Sequence, residues 1–582
     1  MFRSVKEFEE TASPTAAERH LIASVRAGEL CLLCDPEAPE LPAAASEANR
    51  IRAALLRLLI LGATPACGLH ERGVVLVGGW IAGRLDLAFC AARGQTCFEF
   101  CHFEEEPSFY QAHLRLLSLE SSAFPGLLAP GVRIDSELYL SRAVSTGTVS
   151  LAGAWIGGQF GCWDALLNGE SEQALAGRGM QIVRGLYLDR VIATGTIALP
   201  GARIDGQFSV RGAGLNGNGG LSLNANSAKI GQGAFFEGVT TIGMVDLAGA
   251  QVKGELSLED ATLDGGTSAA GFPLAALQAA KLEVAGSLVF RHLIPPKGRI
   301  NLTAAHAEDL VDDPRYWPTD PQCLVLNGFT YDRISGDAPT SFSARRRWLE
   351  IGSAPWPGDF HPQPYSQLAR VLREMGHAAE ARRVLLERER QLARHRLAAD
   401  RGEYRRALEG GPMERGDAGW IWLRMTAARA GSWVIDRATG FGYAPERALY
   451  LSLGIVALAF LFYTFLWRMG AMVPSDAVIL TSQEWAAAFA RDPRAPALSW
   501  PAAGDLAPAA SHYETFYAAA FALDVYLPLV DLGQQSSWSA TTASWAGWIA
   551  RLLTWLVQGL GYVITSLGLA AATGVIQRNN PD

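Results

Sequence analysis

The sequence has few charged residues for its length, and this absence narrows the class of protein. Charged side chains make up 19% of the 582 residues, against about 25% in an average soluble protein. The formal net charge of −8 argues against a general nucleic-acid-binding protein, so we expect no nucleic acid among its partners. The slightly positive mean hydropathy indicates that part of the chain lies in a membrane. A chain of this length is expected to fold as two to four units.

Cysteine is sparse, and motifs that would assign a reaction are lacking. The eight cysteines lie between Cys31 and Cys323, below the density of a secreted disulfide scaffold, which predicts reduced thiols in a cytosolic domain. The opening stretch MFRSVKEFEETASPTAAERH has no apolar core segment, so no secretory signal peptide is expected. There is no Walker loop and no G-x-S-x-G nucleophile elbow. We therefore predict no catalytic, cofactor-binding or metal-binding residue.

What the chain does contain is a repeated phrase. LAGAWIGGQFG at 151–161, LPGARIDGQFS at 199–209 and LAGAQVKGELS at 247–257 each begin 48 residues after the last. The local pattern is apolar-x-apolar-x-x-small, which is strand-like alternation broken by a turn. Such short strands suit a chain that winds into stacked coils, because a single thin coil cannot bury its own inward row.

The apolar positions keep their register from copy to copy and predict the inward rows of the coils. They are Leu138, Leu140, Val149, Leu151 and Ile156, then Leu186, Leu188, Ile197, Leu199 and Ile204, then Ala234, Phe236, Val245, Leu247 and Val252. A finer interval of 11 residues joins Leu140, Leu151 and Cys162, and also Ala143, Ala154 and Ala165. We predict a mainly β fold, a parallel β-solenoid (β-helix) over 65–340 with two coils per 48 residues. A sandwich of alternating strands is the alternative.

Two expectations concern details of this solenoid. Ala154, Ala202 and Ala250 are predicted to stack in one inward row, at a corner too tight for large side chains. Imperfect copies of the repeat extend it on both sides, at GVVLVGGWIAGRLDLAFC (73–90), AGSLVFRH (285–292) and GRINLTAAHA (298–307).

A helical cap over 1–64 is predicted to cover the open N-terminal coil, whose backbone would otherwise be unpaired. The first helix has Ser13 and Pro14 as a start signal, a capping box from Thr15 to Glu18 and a stop at Gly28. The second is EANRIRAALLRLLIL at 47–61.

After the solenoid, an α-helical hairpin is predicted over 341–410. Its small and apolar residues fit one tetratricopeptide-like unit: Leu368, Ala369, Gly376, Ala381 and Leu385. The hairpin either binds a partner or, as we favour, packs as a cap on the far end of the solenoid. Residues 382–406 hold nine arginines and four acids, which predicts contact with anionic lipid head groups.

The rest of the chain predicts a membrane domain. Trp420, Trp422 and Trp433 among arginines indicate an interfacial amphipathic segment over 411–447. In the membrane domain, 448–582, uncharged stretches predict a two-helix transmembrane region with spans at about 448–467 and 552–575.

The loop between the two spans is expected to be external, with both chain termini inside the cell. Within it, ETFYAAAFALDVYLPLVDLGQ at 514–534 is apolar but carries Glu514, Asp524, Pro528 and Asp531. A packed interfacial segment is the favoured interpretation, and a re-entrant helix, as in two-helix channels, is the alternative.

Several of these segments resemble a known group of proteins. The GA-x-I-x-G-x-L phrases, FHPQPYSQLARVLREMGHAAEARRVL within 360–386 and LDVYLPLVDLGQ before the last span resemble bacterial proteins commonly labelled membrane-associated oxidoreductases. The resemblance covers most of the chain and implies a β-solenoid with a two-helix membrane anchor. The label has no defined catalytic motif, so the resemblance implies no site residue. The solenoid is also similar in style to pentapeptide-repeat and bactofilin proteins.

Three sets of residues are candidate sites. GAGLNG at 212–217 matches the dinucleotide pattern G-x-G-x-x-G, but no helix is predicted after it. CLLC at 31–34 and CFEFCH at 97–102 offer four thiolates for zinc, with inert burial as the favoured alternative. His306, Glu308 and Asp309 are expected in a solvated inserted loop.

The sequence therefore favours a non-enzymatic scaffold or interaction platform in the bacterial inner membrane, multi-pass, with its large N-terminal domain cytoplasmic. The alternatives are the oxidoreductase that the label suggests and a channel-like assembly. The expected partners are the lipid bilayer and an unidentified protein, and a homo-oligomer is left open.

Overall fold

The computed structural model describes residues 4–62, 68–267, 273–356, 358–409, 412–500, 512–527 and 530–574. The chain divides into two compact units, Met1–Val384 and Leu385–Asp582. The first unit contains a parallel β-solenoid of about 12 turns, which confirms the predicted fold class. The named strands of adjacent coils pair in parallel, as stacked coils require, so the sandwich alternative is wrong.

Two long sheets form the walls of the solenoid. The first contains Cys31–Leu32, Gly73–Val77, Gln95–Glu99, His113–Leu114, Leu117–Ser118, Arg133–Ile134, Leu138–Tyr139, Trp155–Ile156, Phe160–Gly161, Gln181–Ile182, Leu186–Tyr187, Arg203–Ile204, Phe208–Ser209, Lys229–Ile230, Ala234–Phe235, Gln251–Val252, Leu256–Ser257, Glu283–Phe290, His306–Asp312 and Thr330–Ile334. The second contains Arg50–Arg52, Trp80–Ala82, His102–Phe103, Ala123–Phe124, Leu127–Leu128, Val144–Ser145, Val149–Ser150, Leu166–Ala176, Ile192–Ala198, Gly214–Asn224, Thr240–Asp246, Thr262–Asp264, Ala275–Gln278, Ile294–Lys297, Arg299–Asn301 and Leu324–Val325.

Helices flank the solenoid and make up most of the second unit. In chain order they are α1 (Val5–Thr11), α2 (Ala16–Ala27), α3 (Ala53–Leu61), α4 (Phe342–Gly352), α5 (Gln363–Glu374), α6 (Ala378–Glu409), α7 (Pro412–Thr439), α8 (Glu446–Arg468), α9 (Ala477–Leu480), α10 (Gln483–Arg491), α11 (Pro496–Ser499), α12 (Ala518–Tyr526), α13 (Gln534–Ser537) and α14 (Trp545–Ala572). The second unit also contains a short antiparallel pair of strands, Met472–Pro474 with Trp538–Ala540.

The 48-residue repeat corresponds to two coils, as predicted. Trp155 pairs with Gln181, and Gln181 pairs with Arg203. The same two steps then lead from Arg203 through Lys229 to Gln251. Coils of 26 and 22 residues therefore alternate.

The repeated phrase forms a corner of the coil. In the second copy the Ala202 N–H donates to the Leu199 carbonyl at 3.1 Å, and Gly201 between them has a φ of 66°. Gly153 and Gly249 have φ values of 66° and 65° at the equivalent corners. Glycine enters this left-handed region without the steric cost that a Cβ would add.

The later glycine of the phrase lets neighbouring coils approach closely. A Cβ on Gly206 would lie 1.6 Å from the carbonyl oxygen of Arg184 in the preceding coil. A Cβ on Gly157 would lie 2.3 Å from the carbonyl oxygen of Asp135. The phrase thus recurs because the stacking of coils requires it.

The apolar positions of the three aligned copies are all buried, with side chains at most 3% exposed. Ala154, Ala202 and Ala250 are likewise buried, and backbone hydrogen bonds link each to the adjacent coil. Met180 holds the equivalent position in the coil between Ala154 and Ala202 and is also buried. The coil between Ala202 and Ala250 has the small, buried Ala228 at this position. Met180 nevertheless shows that the row accepts a large side chain, so the expectation that it excludes large side chains is wrong.

Replacing Ala202 with leucine should destabilise the first unit by about 1–3 kcal/mol, because Met180 already fills the space beside it. The measurement is thermal or urea unfolding of the full chain in mild detergent. Ala285→Leu, at an exposed position of the solenoid wall, is the control and should change stability little. Equal effects of the two changes would contradict the inward assignment of Ala202.

The N-terminal cap matches the prediction at its first predicted helix and differs at its second. α2 has the capping box between Thr15 and Glu18 and ends at Gly28 in the left-handed region. The predicted second helix begins later, at Ala53, because Arg50–Arg52 forms a strand that pairs with Trp80–Ala82. α2 and the strand Arg50–Arg52 are in contact, since the buried Glu18 carboxylate of α2 accepts a hydrogen bond from Arg52 Nε at 2.8 Å.

The far end of the solenoid is covered by α4 and α5, as the favoured interpretation of the hairpin predicts. Gln363 Oε1 accepts from the Gly328 N–H at 2.9 Å, and Gln363 Nε2 donates to the Phe329 carbonyl at 3.1 Å. Gln367 Nε2 donates to the Tyr331 carbonyl. These two glutamines of the PQPYSQ segment satisfy backbone groups of the last coil that would otherwise lack partners.

Candidate functional site

The second unit contains two helices that are long and apolar enough to cross a membrane: α8, with 23 residues, and α14, with 28 residues. These match the predicted spans, although the expected end at Val575 lies outside the described residues. At 1.5 Å per residue, α8 is about 34 Å long, enough for a hydrocarbon core of about 30 Å. Most of their large apolar side chains are exposed: Leu449, Leu453, Leu458, Leu461, Phe465, Leu552, Trp555, Leu556, Val563 and Leu569. Such a surface needs an apolar partner.

A third helix, α12, packs along both of these helices. The rings of Phe521 and Tyr463 meet edge to face at 4.7 Å. At the end of α12, Tyr526 Oη donates to Ser452 Oγ at 2.7 Å. Gly561 of α14 faces the carbonyl oxygen of Tyr526 so closely that a Cβ would lie 2.0 Å from it. The helix is therefore fixed against α8 and α14 along its length.

The contacts of this segment run from one end of α8 towards the other. Phe516 stacks on Trp467 near the end of α8 at 4.8 Å, whereas Tyr526 reaches Ser452. Fifteen residues of helix separate these two positions, which corresponds to about 22 Å. This geometry favours the re-entrant alternative over the packed interfacial segment that the sequence analysis favoured.

After α12 the chain comes back beside the residues that precede α12. The buried Asp524 carboxylate accepts from the backbone N–H groups of Leu532, at 2.9 Å, and Gln535, at 2.7 Å. Gln534 Nε2 donates to the Thr515 carbonyl at 2.9 Å. This hydrogen bond joins the segment that follows α12 to the segment that precedes it. Pro528, singled out in the sequence, lies outside the described residues. The motif LDVYLPLVDLGQ thus holds a hairpin together through side chain to backbone hydrogen bonds.

The region between the helices also has an aromatic core of its own. Trp467, Phe516 and Trp538 contact one another, with ring centroids 4.8–5.7 Å apart. Trp485 and Trp500 extend this cluster. The predicted loop is therefore a small folded layer at one end of α8 and α14.

The arginine-rich segment is partly engaged in ion pairs within the second unit. Arg390 pairs with Asp436 of α7 at 3.0 Å, and Arg424 of α7 pairs with Glu403 of α6 at 2.6 Å. Five arginines of α6 are exposed and form no ion pair with a described residue: Arg382, Arg396, Arg401, Arg405 and Arg406. On α7, Trp420, Trp422 and Trp433 are exposed. Contact with anionic lipid stays a prediction.

The solenoid wall carries a groove of about 400 Å³ that crosses four coils. Arg203, Lys229 and Lys253 line it together with Asp205 and Glu283. Arg203 pairs with Asp205 at 2.8 Å, while the two lysines form no ion pair with a described residue. Sequence reasoning missed this groove, because its residues come from adjacent coils, offset by 26, 22 and 32 residues rather than by 48.

The G-x-G-x-x-G match does not form a nucleotide-binding turn. Gly214–Asn224 is a solenoid strand, and Gly212 is the left-handed corner before it, with a φ of 61°. A pyrophosphate site needs the free N–H groups of a helix N-terminus, and a strand begins here instead. A Cβ on Gly217 would lie 2.3 Å from the Leu221 carbonyl oxygen, so this glycine serves the chain's own packing.

The cysteines of the N-terminal motifs lie in the solenoid core. Cys31, Cys97 and Cys101 are buried, and Cys34 is half-buried. Within the described part of the chain, no three His, Cys, Asp or Glu side chains are placed to hold a metal ion. Burial raises the pKa of the Cys31 and Cys97 thiols to about 12, so both are protonated at neutral pH.

His306, Glu308 and Asp309 lie in the strand His306–Asp312 and not in the solvated loop that was expected. His306 Nδ1 is 3.0 Å from Thr330 Oγ1 in the next coil. Asp309 Oδ2 accepts from Arg333 Nη2 at 2.8 Å, and this guanidinium lowers the pKa of Asp309. His306 and Asp309 therefore link neighbouring coils, while Ala307 and Leu310 are buried in the core.

The buried thiols predict a pH dependence of stability. Burial raises the pKa of Cys162 to about 12 from an ordinary value of about 9. The native state therefore gains stability from this thiol below pH 9, and that gain is lost as the pH rises from 9 towards 12. Between pH 8 and pH 11, the melting temperature of Cys162→Ala should rise relative to that of the wild type. A constant difference would contradict the raised pKa.

Comparison of the chain with protein-family models, with curated proteins and with solved structures gives no match.

Proposed function

We propose that the chain is a multi-pass protein of the bacterial inner membrane that holds a cytoplasmic β-solenoid at the membrane as a non-enzymatic scaffold. The observation that carries the membrane part is the exposed apolar surface of α8 and α14. Exposing this apolar surface to water costs free energy, whereas contact with lipid acyl chains does not.

The scaffold part is supported by the form of the first unit. Its interior rows are filled with aliphatic and aromatic side chains along the described coils, which gives a rigid rod with an extended outer wall. Solenoids of this kind bind through such walls. The groove at Lys229 and Lys253 supplies free positive charge for an acidic segment of a partner protein.

The topology test places reporters on both sides of the membrane. A reporter active only in the cytoplasm should work when fused after Asp582 and fail when inserted after Pro493, in the turn following α10. The protein should also stay in the membrane fraction after an alkaline carbonate wash. Release by that wash would overturn the anchor, and the opposite reporter pattern would overturn the orientation.

The scaffold test asks whether partner capture depends on the groove. Affinity purification in mild detergent should recover a protein with the wild type that is lost with Lys229→Glu plus Lys253→Glu. Lys281→Glu, exposed at a corner outside the groove, is the matched control and should retain it. Equal recovery from all three proteins would exclude the groove as the binding surface.

A channel-like homo-oligomer is the second candidate, favoured by α12. A helix that enters between two apolar helices and an extended return are the elements from which two-helix channels build a pore. Ion flux through liposomes that contain the purified protein tests it. Absence of flux while the protein is correctly inserted would exclude the channel.

The oxidoreductase label of the resembling proteins remains a third candidate. The GAGLNG strand gives it no support, because it lacks the helix that dinucleotide binding needs. Titration of the purified protein with nicotinamide and flavin cofactors, followed by fluorescence, would favour this candidate if it saturated at micromolar concentration.

A further inference from the structure

A cavity of about 790 Å³ in the second unit lies where α8 ends and α14 begins. Its wall includes Met469, which follows α8, and Trp545, the first residue of α14. Arg551, one and a half turns into α14, lines it as well. If α8 and α14 span a membrane, as proposed above, the cavity lies at the boundary between water and lipid.

The charge inside this cavity is of one sign. The segment 469–550 contains seven acids and two arginines, yet the described residues that line the cavity include Arg494 and Arg551 and no acid. Neither guanidinium makes an ion pair or a side-chain hydrogen bond with a described residue. The nearest acid in sequence, Asp492, accepts from the backbone N–H groups of Arg494 and Ala495 at 3.0 and 3.2 Å.

The wall also carries side-chain hydroxyl groups, on Ser475, Ser539, Thr541, Thr542 and Ser544. Hydroxyls and guanidinium groups are the side chains that bind phosphate oxygens, with arginine able to donate two parallel hydrogen bonds. The cavity therefore has the donors for a phosphate group and no carboxylate to repel it.

The rim of the cavity is apolar. Leu480 and Phe489 are exposed and line it, and Trp545 is 78% exposed. A soluble anion has no apolar surface to bury against such a rim, whereas a lipid buries its acyl chains against it. Tryptophan at the start of a span and arginine beside it are also the residues that anchor helices among lipid head groups.

We propose that this cavity binds the phosphate head group of an anionic membrane lipid, with Arg494 and Arg551 as its two charged donors. The site is separate from the arginines of α6, and its lipid belongs to the leaflet at the ends of α8 and α14 that carry Met469 and Trp545. The inference depends on the proposed membrane anchor, which the carbonate wash tests independently.

The test measures the melting temperature of the full chain in neutral detergent as lipid is added. A ligand that binds only the folded state raises this temperature. Phosphatidylglycerol should raise it with saturation, while phosphatidylcholine and inorganic phosphate should not. Arg494→Gln with Arg551→Gln should weaken the phosphatidylglycerol response at least tenfold. Arg491→Gln, an exposed arginine of the same loop outside the cavity, should leave it unchanged.

Three results would overturn the proposal. They are equal loss of response in Arg491→Gln, an equal response to phosphatidylcholine, and saturation by inorganic phosphate alone, which would make the ligand a soluble anion. If the double variant fails to fold, native mass spectrometry of the wild type and of Arg494→Gln tests the site instead. A retained anionic lipid that is reduced in Arg494→Gln supports the site, and its absence from the wild type refutes it. A protein that resists the carbonate wash but ignores phosphatidylglycerol would refute this site while leaving the anchor intact.

Discussion

Replacing Asp312 with alanine is expected to lower the free energy of unfolding of the first unit by about 3–5 kcal/mol. Asp312 ends a strand of the solenoid and binds Arg345 of α4 through two hydrogen bonds of 2.6 Å. Both side chains are fully buried. Burial opposes the charge on Arg345, and the Asp312 carboxylate nevertheless raises the pKa of this guanidinium above its ordinary value. Without the carboxylate, a buried charge would remain uncompensated.

The measurement is urea unfolding of the full chain, followed by circular dichroism. Asp313→Ala is the matched control, because the neighbouring Asp313 pairs with Arg315 at the surface, where an ion pair contributes little. Combining Asp312→Leu with Arg345→Met should recover most of the loss, since apolar residues of similar size need no charge partner. An equal loss in the double variant would show that shape, and not charge, holds α4 on the solenoid.

The solenoid was predictable because its determinants repeat. In alternate coils from Trp155 to Gln251, one glycine lies at a corner, a second lies at the close approach to the preceding coil, and apolar residues lie inside. The same phrase therefore returns whenever two coils have been added. Leu199, Gly201 and Gly206 each meet one of these requirements. A single copy fits both a solenoid and a sandwich of alternating strands. The register that three copies share indicates the solenoid.

Elements outside the repeat were predicted less well, for physical reasons. Arg50–Arg52 has the local composition of the helix that follows it, and only its pairing with Trp80–Ala82, far along the chain, makes it a strand. His306–Asp312 looked like a solvated loop because four of its seven residues carry polar or charged side chains. Their contacts with Thr330 and Arg333 in the next coil depend on stacking that no local pattern reveals.

The membrane region was predicted in outline. Apolar length identified α8 and α14, but hydrophobicity is the same for a segment that lies on a membrane surface and for one that enters it. What distinguishes them is where the backbone and polar side chains find partners. Asp524 binding Leu532 and Gln535 is a tertiary contact, and neither it nor the joining of Arg494 and Arg551 at one cavity can be derived from spacing.

Replacing Gly561 with alanine is expected to displace α12 and to lower the melting temperature of the second unit. A Cβ there would lie 2.0 Å from the Tyr526 carbonyl oxygen, which is a backbone atom and cannot rotate away. Helix propensity works in the opposite direction, since alanine is favoured over glycine by about 1 kcal/mol. The steric effect should prevail, because overpacking against backbone costs about 1–3 kcal/mol or more.

Gly559, two residues earlier on α14, supplies the control because a Cβ there meets no atom within 4 Å. Gly559→Ala should keep or slightly raise the melting temperature in detergent, since it gains helix propensity without a clash. Both variants should stay in the membrane fraction after the carbonate wash, because α8 and α14 keep their apolar surfaces. If the two alanines behave alike, α12 does not lie against α14 as described. The re-entrant interpretation, and with it the channel candidate, would then lose its structural basis, while the membrane-anchored scaffold would not.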